Sequence, residues 1–372
     1  MKLRIERANL LSALSHVQNA VERRNTIPIL SNVLLSCKEN NLSLTATDLD
    51  LSIVENVSAE ITKIGATTTP AHLLYEIIRK LPEGAEIQIS KDDSKNQLKL
   101  ESARSSFSLP CLPMEDYPAL TTNEMPFSFN ISATDLSHLV DKTKFAISTE
   151  ETRYYLNGIY LHCSNSPSDP VLRAVATDGH RLALAECSIP KGAEEIPNII
   201  IPKKAVSEIR RLLEQIEEEI SISVSKSQIK LSLGTTILTT KLIDGTFPDY
   251  QRVIPEDNNK TLEVNCSDFK NAVDRVSTIS TEKSRAIKLE LSADNIKISA
   301  NSTDSGSALE EITAAYNGDP LQIGFNSRYL LDVASQIEGD VARFVFADPV
   351  SPAIIRDASD EKTLYVLMPM RV

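Results

Sequence analysis

The chain has 372 residues, 41% of them hydrophobic, and a formal net charge of −12. Its length exceeds what one core supports and implies two or three domains, and its acidity excludes retention of nucleic acid by bulk charge while leaving room for a basic face. No apolar run approaches the ~20 residues of a membrane helix, and five scattered cysteines (Cys37, Cys111, Cys163, Cys187, Cys266) without zinc or redox spacing read as reduced thiols of a cytoplasmic protein.

The N-terminus, Met1-Lys2-Leu3-Arg4-Ile5-Glu6-Arg7, alternates apolar and charged residues and predicts a strand, not a signal peptide. A helix-period stretch follows (Leu10, Leu11, Leu14, Val17), without a capping residue at Ala8, then Arg23 and Arg24. Residues 42–46 alternate as a strand into Thr47-Asp48, and Leu49, Leu51 and Ile53 resume after the break, which is a hairpin signal. Pro70 opens a second helix (Leu73, Leu74, Ile77, Leu81), strands follow at 86–90, 97–101 and 105–109, and Asp116-Tyr117-Pro118 reads as a linker.

The series then returns twice. The second copy has a helix capped at Thr134 (Leu136, Leu139, Val140, Thr143), a strand at 172–176 running into Thr177-Asp178, and Leu182 and Leu184 beyond. Pro202 opens its second helix (Ala205, Val206, Ile209, Leu213), strands follow at 220–225, 229–233 and 236–242, and Pro248-Asp249-Tyr250 reads as another linker. The third copy has a helix capped at Ser267 (Phe269, Ala272, Val273, Val276), a strand at 296–300, Thr303-Asp304, then Leu309 and Ile312. Asn326-Ser327 caps its second helix (Tyr329, Leu330, Val333, Ile337), and strands at 341–346, 353–356 and 363–367 lead to Met368-Pro369-Met370-Arg371-Val372. Thr177-Asp178 follows Thr47-Asp48 by 130 residues and precedes Thr303-Asp304 by 126. Three copies at near-equal spacing predict an α+β chain of three repeated domains, at 1–122, 123–255 and 256–372, each with two helices packed on antiparallel sheets.

The helices carry cations outside their apolar stripes: Arg79 and Lys80; Lys142 and Lys144; Lys203, Lys204, Arg210 and Arg211; Lys270 and Arg275. Each taken alone is solvated helix surface. Shared by equivalent helices of three repeats, they suggest a face that meets phosphates without gripping them.

Catalytic signatures are missing from the sequence: it has no Walker loop, Gly-x-Ser-x-Gly, His-Glu-x-x-His or dinucleotide fingerprint, and its eleven glycines do not cluster. The five histidines (His16, His72, His138, His162, His180) lack metal-ligand spacing, and His16 and His138 read as helix surface. Asp178 and His180 are the one acid/base candidate. Because the aspartate recurs at Asp48 and Asp304, a turn role for Asp178 is the better reading, and only Gly179-His180-Arg181 is special to the middle copy.

Six separated stretches carry a resemblance. They are Ile27-Pro28-Ile29-Leu30-Ser31-Asn32, Thr45-Ala46-Thr47-Asp48-Leu49-Asp50, Arg153-Tyr154-Tyr155-Leu156-Asn157-Gly158, Ala176-Thr177-Asp178-Gly179-His180-Arg181-Leu182-Ala183, Asp244-Gly245-Thr246-Phe247-Pro248-Asp249-Tyr250 and Met368-Pro369-Met370-Arg371. In order and end to end, the chain resembles the bacterial DNA polymerase III beta subunit family, the replicative DNA sliding clamps. That resemblance implies the DNA-clamp fold in a ring-shaped head-to-tail homodimer, with basic helices lining the hole and strands continuing across domain boundaries. It implies a non-catalytic processivity factor of DNA replication, without cofactor or metal, that encircles duplex DNA. Its expected partners are the polymerase III alpha subunit, the clamp loader, and other polymerases and repair proteins that carry a clamp-binding peptide.

By the same resemblance the peptide pocket is formed by Arg153, Leu156, Thr177, Gly179, His180, Arg181, Leu182, Pro248, Arg252, Val253, Val350, Val366, Met368, Pro369, Met370 and Arg371. Methionine, valine and leucine suit an adaptable apolar groove with arginines at its rim. The DNA contacts fall at Arg24, His72, Glu150, Tyr154 and Tyr155. His72 stands where better-studied relatives have arginine, and Glu150 where they have glutamine; both changes weaken attraction to phosphate. Pro352 replaces a small polar residue at the pocket edge. Two rivals remain: a hydrolase using Asp178 and His180, and a peptide-binding scaffold that never meets DNA, against which the basic helices argue.

Overall fold

The computed structural model describes residues 1–22, 26–92, 96–118, 124–164, 170–280 and 285–371. The chain divides into two compact units, the first of residues 1–134, 190–197 and 204–242, the second of residues 135–189, 198–203 and 243–372. Six α-helices occur among the described residues: α1 (Arg7–Val17), α2 (Ala71–Lys80), α3 (Ala133–Thr143), α4 (Lys203–Leu213), α5 (Cys266–Ser277) and α6 (Ser327–Ala334). None is long and apolar enough to cross a membrane.

The first unit holds two antiparallel sheets. The larger has eight strands in the spatial order Phe127–Ser132, Glu219–Val224, Gln228–Leu233, Thr236–Lys241, Leu51–Ser58, Asn41–Thr47, Asn32–Lys38 and Gly65–Pro70. The smaller runs Glu60–Lys63, Lys2–Glu6, Glu86–Asp92, Gln97–Ser102 and Ser105–Pro110. Period-two burial, as in Gln97–Ser102, turns one face of each strand inward. Helix α1 lays Leu10, Ala13, Leu14 and Val17 against Asn41–Thr47, Leu51–Ser58 and α2, and α4 buries Ala205, Val206, Ile209, Leu212 and Leu213 along one stripe.

The second unit has one twelve-stranded sheet, ordered Ile199–Pro202, Gly158–Cys163, Val171–Thr177, Arg181–Ser188, Thr363–Leu367, Ala353–Asp357, Val341–Phe346, Lys260–Asn265, Gly306–Asn317, Asn295–Ser302, Ala286–Ser292 and Leu321–Asn326. Helices α5 and α6 pack on each other, and Phe269 of α5 is fully buried against Phe344, ring centroids 5.1 Å apart. Burying such a ring is worth about 1.5–3 kcal/mol.

The middle repeat is shared between the units because its sheets join those of its neighbours in sequence. Leu51–Ser58 pairs with Thr236–Lys241, Leu51 opposite Thr240, and Arg181–Ser188 pairs with Thr363–Leu367, Arg181 opposite Leu367. In both junctions the second strand of a Thr-Asp hairpin takes the last strand of the next repeat.

Several local expectations are corrected. Ser267 lies inside α5; the cap is Asn265, whose side chain accepts from the Asp268 amide. Thr134 likewise lies inside α3. Pro70 and Pro202 each end a strand and sit just before a helix, so they stop one element as they admit the next. The two Asp-Tyr segments are not free linkers. Tyr117 is buried and donates to the carbonyl of Thr45, and Tyr250 is buried in a cluster with Phe247, Leu156 and Val366. The expected boundary near residue 122 lies outside the described residues.

Candidate functional site

The Thr-Asp turn is built alike in the first two repeats. Thr177 donates its hydroxyl to the Arg181 carbonyl and accepts from the Gly179 amide, while Asp178 Oδ1 accepts from the amides of His180 (2.9 Å) and Arg181 (3.0 Å). Thr47 and Asp48 make the same four bonds with Leu51, Leu49, Asp50 and Leu51. In the third repeat the aspartate's role moves two residues upstream, from Asp304 to Ser302, which accepts from the amides of Asp304 and Ser305. Asp178 is therefore a turn residue. Its second oxygen takes Arg181 Nε at 3.1 Å, and the His180 ring lies over Tyr329, 6.2 Å between centroids.

Beside this turn lies a cavity of about 260 Å³ lined by Arg153, Tyr155, Leu156, Thr177, Gly179, Arg181, Leu182, Pro248, Tyr250, Val253, Val366 and Met368. Ten of the sixteen residues expected at a pocket meet here. His180, Arg252, Val350, Pro369, Met370 and Arg371 do not line it; Val350 is 73% exposed, and Arg252 pairs with Asp249 at the surface. Tyr155 and Tyr250 line it unannounced, the first expected at DNA and the second read as linker. The signal available for Tyr250 was its recurrence as Tyr117, since an aromatic residue repeated at a boundary belongs to packing.

Backbone geometry opens the groove. Gly179 has φ +89, and a β-carbon there would stand 2.5 Å from Arg153 Nη1. Arg153 is held at the rim by a two-pronged bond to Glu150, at 2.7 Å through Nε and 2.6 Å through Nη2. That pairing draws the Glu150 carboxyl below its usual range. Arg181 faces the groove with its guanidinium already committed to Asp178, to Asp332, and to the Phe145 carbonyl at 2.8 Å, and it stacks 4.5 Å from the Tyr329 centroid. The lining thus has two arginines, no carboxylate and a predominantly apolar surface. It suits an apolar segment with an acidic or carbonyl-rich backbone edge.

The residues expected at DNA are less uniform. Arg24 lies outside the described residues. His72 is half-buried and donates Nε2–H to the Val21 carbonyl at 3.0 Å. Glu150 is occupied with Arg153, and Tyr154 is 53% exposed, edge-on to Tyr155. Many cations of the supposed basic face are paired internally. Lys142 is buried and bonds Glu338 and the Gln336 carbonyl; Lys204 bonds Asp48 and Glu22; Arg211 bonds Glu208 and the carbonyls of Ser15 and His16; Arg275 pairs with Glu310. His16 is not plain helix surface either, for its ring bridges Glu55 and Gln215, each at 3.0 Å.

Three family models match consecutive parts of the chain: the N-terminal domain of the DNA polymerase III beta subunit at residues 1–121, its central domain at 130–249 and its C-terminal domain at 251–371. The beta sliding clamp of Caulobacter vibrioides is 51% identical over 372 residues, all of both chains, and that of Escherichia coli 38% identical over 375 residues, again all of both. Among solved structures, the sliding clamp of Bartonella birtlesii bound to griselimycin matches with TM-score 0.97 and 49% identity over all of both chains. The Caulobacter crescentus beta sliding clamp, with polyethylene glycol in a putative beta-motif tethering region, matches with TM-score 0.97 and 51% identity over 100% of this chain and 99% of that one.

Proposed function

The chain belongs to the DNA polymerase III beta subunit family, the bacterial beta sliding clamps, and from that premise we propose that it works as a closed ring of two copies around duplex DNA. It is a processivity factor of DNA replication that tethers polymerases, and its hold on DNA is topological. The three domains divide at about residues 122 and 255.

The observation that carries the ring is the repeated strand junction. Twice, the second strand of a Thr-Asp hairpin takes the last strand of the next repeat. Each end of the series has one such edge unused. Among the described residues, the 307–312 stretch of Gly306–Asn317 pairs only with Asn295–Ser302, and Leu309 stands 68% exposed there. Ser105–Pro110, the last strand of the first repeat, ends its sheet. Joining the third repeat of one copy to the first of another repeats the junction head to tail and covers edges that would otherwise invite aggregation.

The groove around Gly179 and Met368 is the docking site for the short apolar peptide of the polymerase III alpha subunit, the clamp loader and repair proteins. Its apolar lining and the rim cation Arg153 support this. Glu150 serves the groove by holding Arg153, which leaves DNA contact to Arg24, His72, Tyr154 and Tyr155. The protein is non-catalytic and cytoplasmic: Asp178 is spent on its turn and offers no base to a substrate. Internal pairing of the lysines and arginines leaves a weak field toward phosphates, which suits sliding.

The test is topological. The protein is loaded on nicked circular plasmid by a clamp loader, and the plasmid is then linearised. Retention on circles in high salt and loss on linear DNA are expected. Equal behaviour on both forms overturns the reading, because salt strips a groove binder from either.

A further inference from the structure

Tyr250 forms part of the groove lining, and its hydroxyl points away into a buried polar network. The oxygen lies 2.9 Å from His162 Nε2 and 3.0 Å from Arg173 Nη1. His162 is 8% exposed. Its Nδ1 stands 2.9 Å from the Cys163 carbonyl, a group that only accepts, so Nδ1 carries the proton and Nε2 the lone pair. The directions follow: Tyr250 donates to His162 and accepts from Arg173, and Arg173 in turn donates Nε–H to Glu186 at 2.6 Å. Apolar packing holds the same ring, since His162 lies 4.7 Å from Tyr160, which stacks on Phe247 at 4.7 Å with planes 2° apart.

We propose that His162 is a positioning residue of the groove: as a neutral imidazole it accepts the hydrogen bond of the Tyr250 hydroxyl, fixes the tyrosine ring in the lining, and so makes peptide docking weaken on acidification. This rests on the reading of the groove as a peptide site. Protonation would turn Nε2 into a donor facing a hydroxyl that Arg173 already bonds, leaving the phenol proton without an acceptor and an imidazolium beside a guanidinium. The charged or titratable groups facing His162 are Arg173 from Val171–Thr177, Glu186 from Arg181–Ser188 and Tyr250 from Tyr250–Val253; Tyr160 shares its strand, and Ile199–Pro202 on the other side brings none. Burial, chiefly, and Arg173 hold the histidine pKa below its ordinary 6.5, against the Cys163 carbonyl and Glu186. The neutral form therefore prevails at pH 7.5.

The test measures binding of a fluorescein-labelled clamp-binding peptide of the polymerase III alpha subunit by anisotropy at pH 7.5, 6.5 and 5.5. Wild-type Kd should rise by about three- to tenfold across that range, a linkage of up to one pKa unit. His162→Gln, which offers an acceptor that does not titrate, should give a Kd independent of pH. As a second variant, Tyr250→Phe keeps the ring and removes the donor; the His162 pKa, followed by the NMR shift of its ring proton, should rise in it, which a merely space-filling histidine would not do. The same pH dependence in wild type and His162→Gln overturns the proposal, as does a His162 pKa unmoved by Tyr250→Phe. Absence of peptide binding to the wild type at pH 7.5 would instead sink the groove reading, and this inference with it. Binding at pH 7.5 that does not weaken in acid sinks the role of His162 alone.

Discussion

Gly179→Ala is the sharpest probe of the groove. The turn has φ +89 at this residue, and the added β-carbon would fall 2.5 Å from Arg153 Nη1. Backbone strain is tolerable, because Leu49 occupies the matching place of the first repeat at φ 82. Such a conformation costs an L-residue about 1–2 kcal/mol, which lowers Tm by roughly 2–8 °C in a unit of this size. The contact falls on the far end of a flexible side chain, so the protein yields by moving Arg153, and its two-pronged bond to Glu150 is disturbed. Losing one charge-assisted hydrogen bond to the bound peptide costs about 1.5–3 kcal/mol, that is roughly 10- to 150-fold in Kd.

Anisotropy with the alpha-subunit peptide reads this directly, and Arg153→Ala completes a double-mutant cycle. If Gly179→Ala acts through Arg153, it should cost almost nothing further in the Arg153→Ala background. A folded Gly179→Ala protein with an unchanged Kd, or full additivity of the two substitutions, refutes the reasoning.

The His16–Glu55 pair makes the first unit pH-sensitive. The hydrogen bond to Glu55, first of all, raises the His16 pKa above 6.5, so its stabilisation is full below about pH 6.5 and is lost as pH rises through the folded value. Burial works against ionised Glu55, but bonds from His16, Thr235 and Thr236 outweigh it and leave its pKa lowered, so that contribution is lost on acidification below about pH 4.5. Tm should thus fall from pH 6 to 8.5 in wild type and less in His16→Gln; calorimetry showing equal slopes contradicts the pairing. Arg181→Met should lower the Tm of the second unit by roughly 10 °C, since it removes a side chain only 10% exposed from Asp178 and Asp332 at a cost of about 3 kcal/mol. A shift under about 2 °C would mean that the network carries little stability.

The repeat, the helices, and the strands that flank each Thr-Asp turn or follow each second helix were legible because their signals are local: apolar periodicity, and a turn motif that recurs; strands such as Asn32–Lys38, Gly158–Cys163 and Ala286–Ser292 went unread. Strand bounds such as Val341–Phe346 and Thr363–Leu367 coincide with short apolar runs rich in β-branched and aromatic residues. What escaped was long-range pairing of polar groups. Lys142 looks like helix surface in sequence, yet it is buried on Glu338 and Gln336, nearly two hundred residues away. Glu150 looked like a failed phosphate contact, and its partner three residues on was already in view at Arg153. His162 carried no signal at all, because its role depends on which hydroxyl folds against it.

Repetition of the junction also raises the question of why one groove stands out, and the residues answer it. The first junction repeats the second bond for bond: the Lys241 amide bonds the Asp50 carbonyl as the Met368 amide bonds that of His180. Strand register makes Thr239 the counterpart of Val366, and Lys241 that of Met368. Asn32 opposite Pro70 matches Gly158 opposite Pro202, which sets Ile27 in the place of Arg153. Leu49 stands where the middle repeat has Gly179. So the first junction exchanges its apolar wall for a threonine and for a lysine that pairs with Asp50, loses its rim cation, and carries a leucine where the groove needs the absence of a β-carbon. Backbone geometry supplies the same platform at each junction, and the side-chain choices at residues 153, 179, 366 and 368 give one of them the open apolar groove proposed above as the docking site; the fold itself is indifferent to that choice.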